Sequence, residues 1–147
     1  MRILLAVDGS APSQDAIADV AGRPWPTPSD LRVISVVRPY VPPATEFVPG
    51  AFAPNELLQD HLKDAERIAA QAADRLTRSG LSIDTTVRQG DPRTVIVDEG
   101  TEWGADLIVV GSHGHTGLTR LLLGSVAQAV VAHAPCSVEV VRKRRTA

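Results

Sequence analysis

Two short stretches carry the residue types that handle a charged small molecule. In the first, Gly111-Ser112-His113-Gly114 is followed after nine residues by Gly124-Ser125 and then by a segment with helical spacing. Glycines let a backbone pass close to a ligand and take positive φ, and the free amides at a helix start offer donors and a favourable dipole to an anion. The chemistry this suits is phosphate binding, set against the alternative of a glycine-rich turn with a purely structural role. The stretch lacks the Lys-Ser/Thr ending of a Walker loop and the spacing of the dinucleotide fingerprint. It holds no lysine to neutralise a γ-phosphate and no general base recognisable by motif, so binding is better supported than turnover. Ser112 does not occupy the centre of a Gly-x-Ser-x-Gly elbow, which argues against a serine hydrolase. The second stretch, Asp8-Gly9-Ser10, puts a carboxylate directly after an apolar run; Asp8 either meets a ligand or caps its own turn. His113 and His115 are two apart without a third ligand nearby in sequence, so no metal site is expected. Arg120 either reaches a phosphate or faces water.

These residues need strands that end beneath them. Runs rich in Val, Ile and Leu predict five strands over residues 3–7, 31–37, 81–87, 107–110 and 138–141. Several are apolar at consecutive positions, which suits a parallel sheet buried on both faces. Between them, Ser10 can cap a helix through Ala16, Ile17, Val20 and Ala21 that stops before Pro24. Leu58, Leu62, Ala65, Ala69, Ala72 and Leu76 form one stripe of a second helix, with Ser79-Gly80 as its stop. Asp91-Pro92 opens a third through Val95, Ile96 and Glu99, and a fourth runs from Ser125 to His133. The expected fold is therefore α/β, a doubly wound five-stranded parallel sheet with helices on both faces. Ligands of such sheets sit beyond the strand C-termini where the strand order reverses. Asp8 follows the first strand and Gly111 the fourth, so the two stretches can face one site.

The rest of the chain narrows the class. At 147 residues it has the size of one domain, residues 1–147, and folding at that length hides roughly 70% of the unfolded surface. A composition of 44% hydrophobic and 22% charged residues is that of a folded globular protein. The net charge of −2 gives no overall attraction to nucleic acid, and Arg142-Lys143-Arg144-Arg145 reads as a solvated tail. The single cysteine, Cys136, rules out an internal disulfide and fits a reducing compartment. No apolar run approaches the roughly 20 residues of a membrane span, so no membrane partner is expected and the cytoplasm is the expected location. Residues 39–54 hold five prolines and read either as a lid or partner surface or as a variable loop.

The spacing of Gly111, Gly114, Gly124 and Ser125 resembles the ATP-binding signature of the universal stress protein family. So do residues 3–10, the Gln89-Gly90-Asp91-Pro92 turn, the strand over 105–110 and the ending over 133–138; residues 23–30 and 39–54 have no clear counterpart. The resemblance, with the switch-point rule, implies the Rossmann-like strand order 3-2-1-4-5. It implies ATP, with magnesium, as ligand: Ala6 and Val7 lining the base pocket, Asp8 on the ribose, and backbone near Val36 on the adenine edge. Gly111, Gly114, Gly124, Ser125 and the Val126 amide would hold the phosphates, with His113 nearby. It further implies a homodimer through Val138, Val140 and Val141 in the last strand, and a regulatory role in stress response. The alternatives are a slow ATPase or phosphotransferase using Asp8 for magnesium and Ser112 or Thr116 as acceptor, and a nucleotide-free dimerisation module.

Overall fold

A computed structural model describes residues 1–39, 54–114 and 122–143. The expectations placed on His115, Thr116 and Arg120 lie outside these residues, as do those on nearly all of the loop over 39–54 and on half of the basic tail. The elements alternate as β1 (Arg2–Ala6), α1 (Ala11–Ala21), β2 (Asp30–Val37), α2 (Pro54–Leu76), β3 (Ser82–Gln89), α3 (Pro92–Trp103), β4 (Leu107–Gly111), α4 (Ser125–His133) and β5 (Ser137–Val141). All four strand pairings are parallel, in the order β3-β2-β1-β4-β5. That is the predicted architecture.

The strand ends differ from the sequence expectation by one or two residues, because ladder pairing rather than apolarity decides where a strand stops. The first strand takes in Arg2, which registers with Asp30, and ends at Ala6 instead of Val7. The third begins at Ser82 and continues through Arg88 and Gln89, held by its register with Val36 and Val37. Polar residues are tolerated there because β3 is an edge strand with exposed positions along it.

Alternation along the central strands divides the core in two. Ile3, Leu5, Leu31, Val33, Leu107 and Val109 face α1 and α2, where the buried stripe Ala65, Ala69, Ala72 and Leu76 completes the layer. Leu4, Ile34, Ile108 and Val110 face α3 and α4, which contribute Ile96, Ala127 and Val130. Burying a large aliphatic side chain fully contributes about 1.5–3 kcal/mol, so either layer is a substantial share of the folding free energy. The helix starts follow the sequence signals. Ser10 accepts from the Ser13 amide at the start of α1, and Asp91 accepts from the Arg93 amide at the start of α3. Gly80, at φ 76°, closes the 3-10 turn after α2 in the left-handed conformation that glycine takes without strain.

On the α3 side, the floor of the sheet also holds a buried charge. Glu99 is only 4% exposed and receives Arg32 at 2.8 Å and Arg88 at 3.2 Å. Arg32 in turn binds Asp84 at 2.7 Å and lies over the Trp103 ring, 4.7 Å from its centroid. Hydrogen bonding to Asp84, ahead of that to Glu99, raises the Arg32 pKa above its already high ordinary value.

Candidate functional site

β1 and β4 are neighbours whose chains leave in opposite directions, β1 into α1 on one face and β4 into α4 on the other. Their C-terminal ends therefore part, and a cavity of about 790 Å³ opens between them. All ten residues expected at a site line it. Ala6, Val7 and Asp8 come from the end of β1, and Val36 from the end of β2. Gly111, His113 and Gly114 follow β4, and Gly124, Ser125 and Val126 begin α4.

The two halves of the glycine stretch, nine residues apart in sequence, are tied together by the Gly124 amide donating to Ser112 O at 2.7 Å. Their glycines do not take the positive φ that was one of the two uses expected of them. Positive φ occurs at Gly9, Gly80, Gly90 and Gly104, and not at Gly111, Gly114 or Gly124. What these three positions require is the absence of a side chain. A Cβ at Gly111 would fall 2.7 Å from the Pro12 carbonyl carbon, one at Gly124 2.8 Å from the His113 Cα, and one at Gly114 2.8 Å from Asp8 Oδ2. The loop is pressed onto the first turn of α1 and onto Asp8, so the two stretches picked out by sequence meet.

Asp8 caps its own turn and stands on the cavity wall. Its Oδ1 accepts from the Ser10 amide at 2.9 Å and from Ser10 Oγ at 2.5 Å, which caps the turn, while the residue lines the cavity. The Asp8 amide donates to Ser13 Oγ at 3.2 Å. Opposite, α4 starts without a side-chain cap: Gly124 precedes it in extended conformation, and the first ladder bond runs from the Gln128 amide to Gly124 O. The amides of Ser125, Val126 and Ala127 thus precede the helix's own hydrogen bonding and sit on the cavity wall. α1 and α3 are capped by side chains where α4 is not.

Ser112, considered above as an acceptor, is buried, with its hydroxyl 3.0 Å from His113 Nδ1. His61 and His133 are exposed on their helices. β5 is an edge strand, as an interface through it requires. Val138 and Val140 pack partly against the α3 and α4 core and Val141 is buried in the other, so its free edge offers mainly backbone. Among the described residues no helix is long and apolar enough to cross a membrane.

The sequence reading missed Ile34, Arg38, Pro92 and Ile96, which also line the cavity. Ile34, Val36 and Arg38 alternate on β2 and form one row, so the period of two from Val36 was the available signal. Pro92 and Ile96 come from α3, and only the folded topology brings that helix over β2.

The family model described as the universal stress protein family matches residues 1–142. The universal stress protein MJ0531 of Methanocaldococcus jannaschii is 34% identical over 145 residues, covering 97% of this chain and 82% of that protein. The solved structure of UspA from Lactobacillus plantarum superposes with a TM-score of 0.81 at 28% identity, covering 97% of both chains. A family protein from Arabidopsis thaliana, solved with AMP bound, shares the fold at a TM-score of 0.67 and 18% identity, covering 98% of this chain and 92% of that one.

Proposed function

The chain belongs to the universal stress protein family, and from that premise we propose that it is a nucleotide-binding regulatory protein whose cavity takes ATP with magnesium. The observation that carries this reading is the uncapped start of α4 beside the joined glycine stretch, at the sheet's switch point. The Ser125 and Val126 amides and the backbone at Gly111, Gly114 and Gly124 would hold the phosphates, with His113 beside them. Asp8 would meet the ribose, and Ala6 and Val7 would pack on the base.

The end of β2 supports adenine in particular. The β1–β2 ladder closes with the Val7 amide on Ile34 O at 2.9 Å, while the Gly90 amide reaches Val37 O on the opposite side. Alternation then turns the Val36 N–H and C=O toward β1, where β1 has already left the sheet. An N–H and a C=O side by side complement the N1 acceptor and amino donor of adenine. Asp8 is the one carboxylate among the described cavity residues, which fits a magnesium ion held mainly by the triphosphate's own oxygens. The remaining parts of the proposal are pairing of two copies through the β5 edge, at Val138, Val140 and Val141, and action in the cytoplasm.

The test is calorimetric titration of ATP with magnesium into the purified chain, with a denatured extract analysed for nucleotide carried from expression. Saturable binding near one per chain, or ATP in the extract, is expected. No heat together with an empty extract would overturn the reading and leave the glycine stretch structural.

A further inference from the structure

Ser112 is fixed through both of its main-chain groups. Its amide donates to Val141 O at 3.0 Å, where β4 and β5 end, and its carbonyl accepts from the Gly124 amide at 2.7 Å. The residue is 5% exposed, and among the described residues its hydroxyl has one hydrogen-bond partner, His113 Nδ1 at 3.0 Å. His113 is confined from the other side. A Cβ at Gly124 would fall 2.8 Å from the His113 Cα, so its backbone lies directly against the residue that precedes α4. The imidazole is thus carried on a rigid corner of the cavity wall that also holds the free amides of Ser125 and Val126.

A bond between a hydroxyl and Nδ1 can run either way, and burial decides between the two. Were Nδ1–H the donor, the Ser112 hydrogen would be left buried without an acceptor. When the hydroxyl donates, that hydrogen is satisfied and only a spare lone pair goes unused, the cheaper omission. Neutral His113 then carries its proton on Nε2. The two ring nitrogens point away from one another, so with Nδ1 on the buried hydroxyl the Nε2–H is turned to the cavity that His113 lines. We propose that Ser112 is a positioning residue for phosphate, which fixes His113 as an Nε2–H donor that joins the α4 amides on the anion. This rests on the nucleotide reading of the cavity given above.

The experiment is calorimetric titration of ATP with magnesium, and separately of adenosine, into the full chain, Ser112→Ala, His113→Ala and the double variant, each first checked by thermal unfolding. His113→Ala should lose about tenfold in ATP affinity, the scale of one hydrogen bond to a charged group. Ser112→Ala should lose about threefold, because only a fraction of the rings then holds the proton on Nε2. With His113 already replaced, Ser112→Ala should cost nothing further. Adenosine, which has no phosphate, should show none of these losses. In 15N spectra of the histidines at about pH 8.5, above the ordinary imidazole range, the signals missing from His113→Ala should place the native proton on Nε2, and Ser112→Ala should show a mixture. The native spectrum decides the tautomer whether or not a variant folds. A native Nδ1–H, equal losses for ATP and adenosine, or a further loss from Ser112→Ala without His113 would overturn the proposal and leave the nucleotide reading intact. Native protein that binds no ATP would remove both.

Discussion

Arg32 stands on β2 and Arg38 directly after its end, six residues on in the same row, and the two have opposite surroundings. Arg32 is held by Asp84 and Glu99 at 2.7 and 2.8 Å and covered by the Trp103 ring. Arg38 approaches a single carboxylate at 3.9 Å, and that carboxylate belongs to Arg93. The difference lies in what covers the strand at each end. Over Arg32, the C-terminal part of α3 brings a buried carboxylate that requires a cation. Over Arg38, only the capped start of α3 is present and the sheet opens into the cavity. One arginine is committed to the fold, and its equivalent three repeats of the pleat along is open to the cavity.

Replacing each arginine by methionine, which keeps much of the stem and removes the charge, sets the two against each other. Arg32→Met leaves the Glu99 carboxylate, 4% exposed, with Arg88 alone, and should destabilise the chain by about 3 kcal/mol. Read as a thermal midpoint, that is a fall of about 6–12 °C for a chain of this size. Arg38→Met should stay within about 0.5 kcal/mol of the native protein. Similar midpoints for the two variants would dissolve the contrast.

Glycine substitutions probe the open end from the side of the loop. Gly111→Ala forces the Pro12 backbone aside, where no flexible side chain can yield, and should cost about 1–3 kcal/mol while moving the loop off α1. Nucleotide affinity should fall with it. At the closed end, Glu99→Gln keeps shape and volume but weakens both charge-assisted bonds, for a loss of about 1–2 kcal/mol in urea denaturation. Its nucleotide affinity should be unchanged, so the pair distinguishes the end that binds from the end that only folds.

The parts of this contrast differ in how far the sequence announced them. Consecutive apolar runs, the Ala and Leu stripe of α2 and the caps at Ser10 and Asp91 are local signals, and each element they predict is present. Of the ten cavity residues, Asp8 and the glycines were legible because strand C-termini and a spaced glycine pattern mark a switch point before any contact is known; Ala6, Val7, Val36, His113 and Val126 followed only from the family resemblance. Arg38 and Glu99 were not. An arginine at a strand end and a glutamate on a helix are ordinary surface residues until α3 is laid across β2, and their meaning comes from that pairing of distant segments. The glycines illustrate the same limit from the other side: their positions were readable, but the reason for them is close approach to Pro12, Asp8 and His113, which only the packed loop reveals.

The smallest effect expected concerns Asp91, the carboxylate that stands between the two arginines it could serve. Hydrogen bonds from the Arg93 side chain, then from its backbone amide, lower the Asp91 pKa from 3.8 to about 2. A carboxylate depressed on folding adds stability that is fully present above its unfolded pKa and is lost as pH falls toward the folded one. Asp91 should therefore stay ionised through pH 4 and give up its contribution only between about pH 4 and pH 2. Asp91→Asn keeps an acceptor for the start of α3 but removes the charge, so its deficit against native protein should be constant from pH 7 to about pH 5 and shrink below about pH 4. Urea midpoints of the two proteins across that range read the difference directly. A deficit that stayed flat down to about pH 2 would place Asp91 in the ordinary carboxylate range, loosen its hold on Arg93, and return it to Arg38 as a partner.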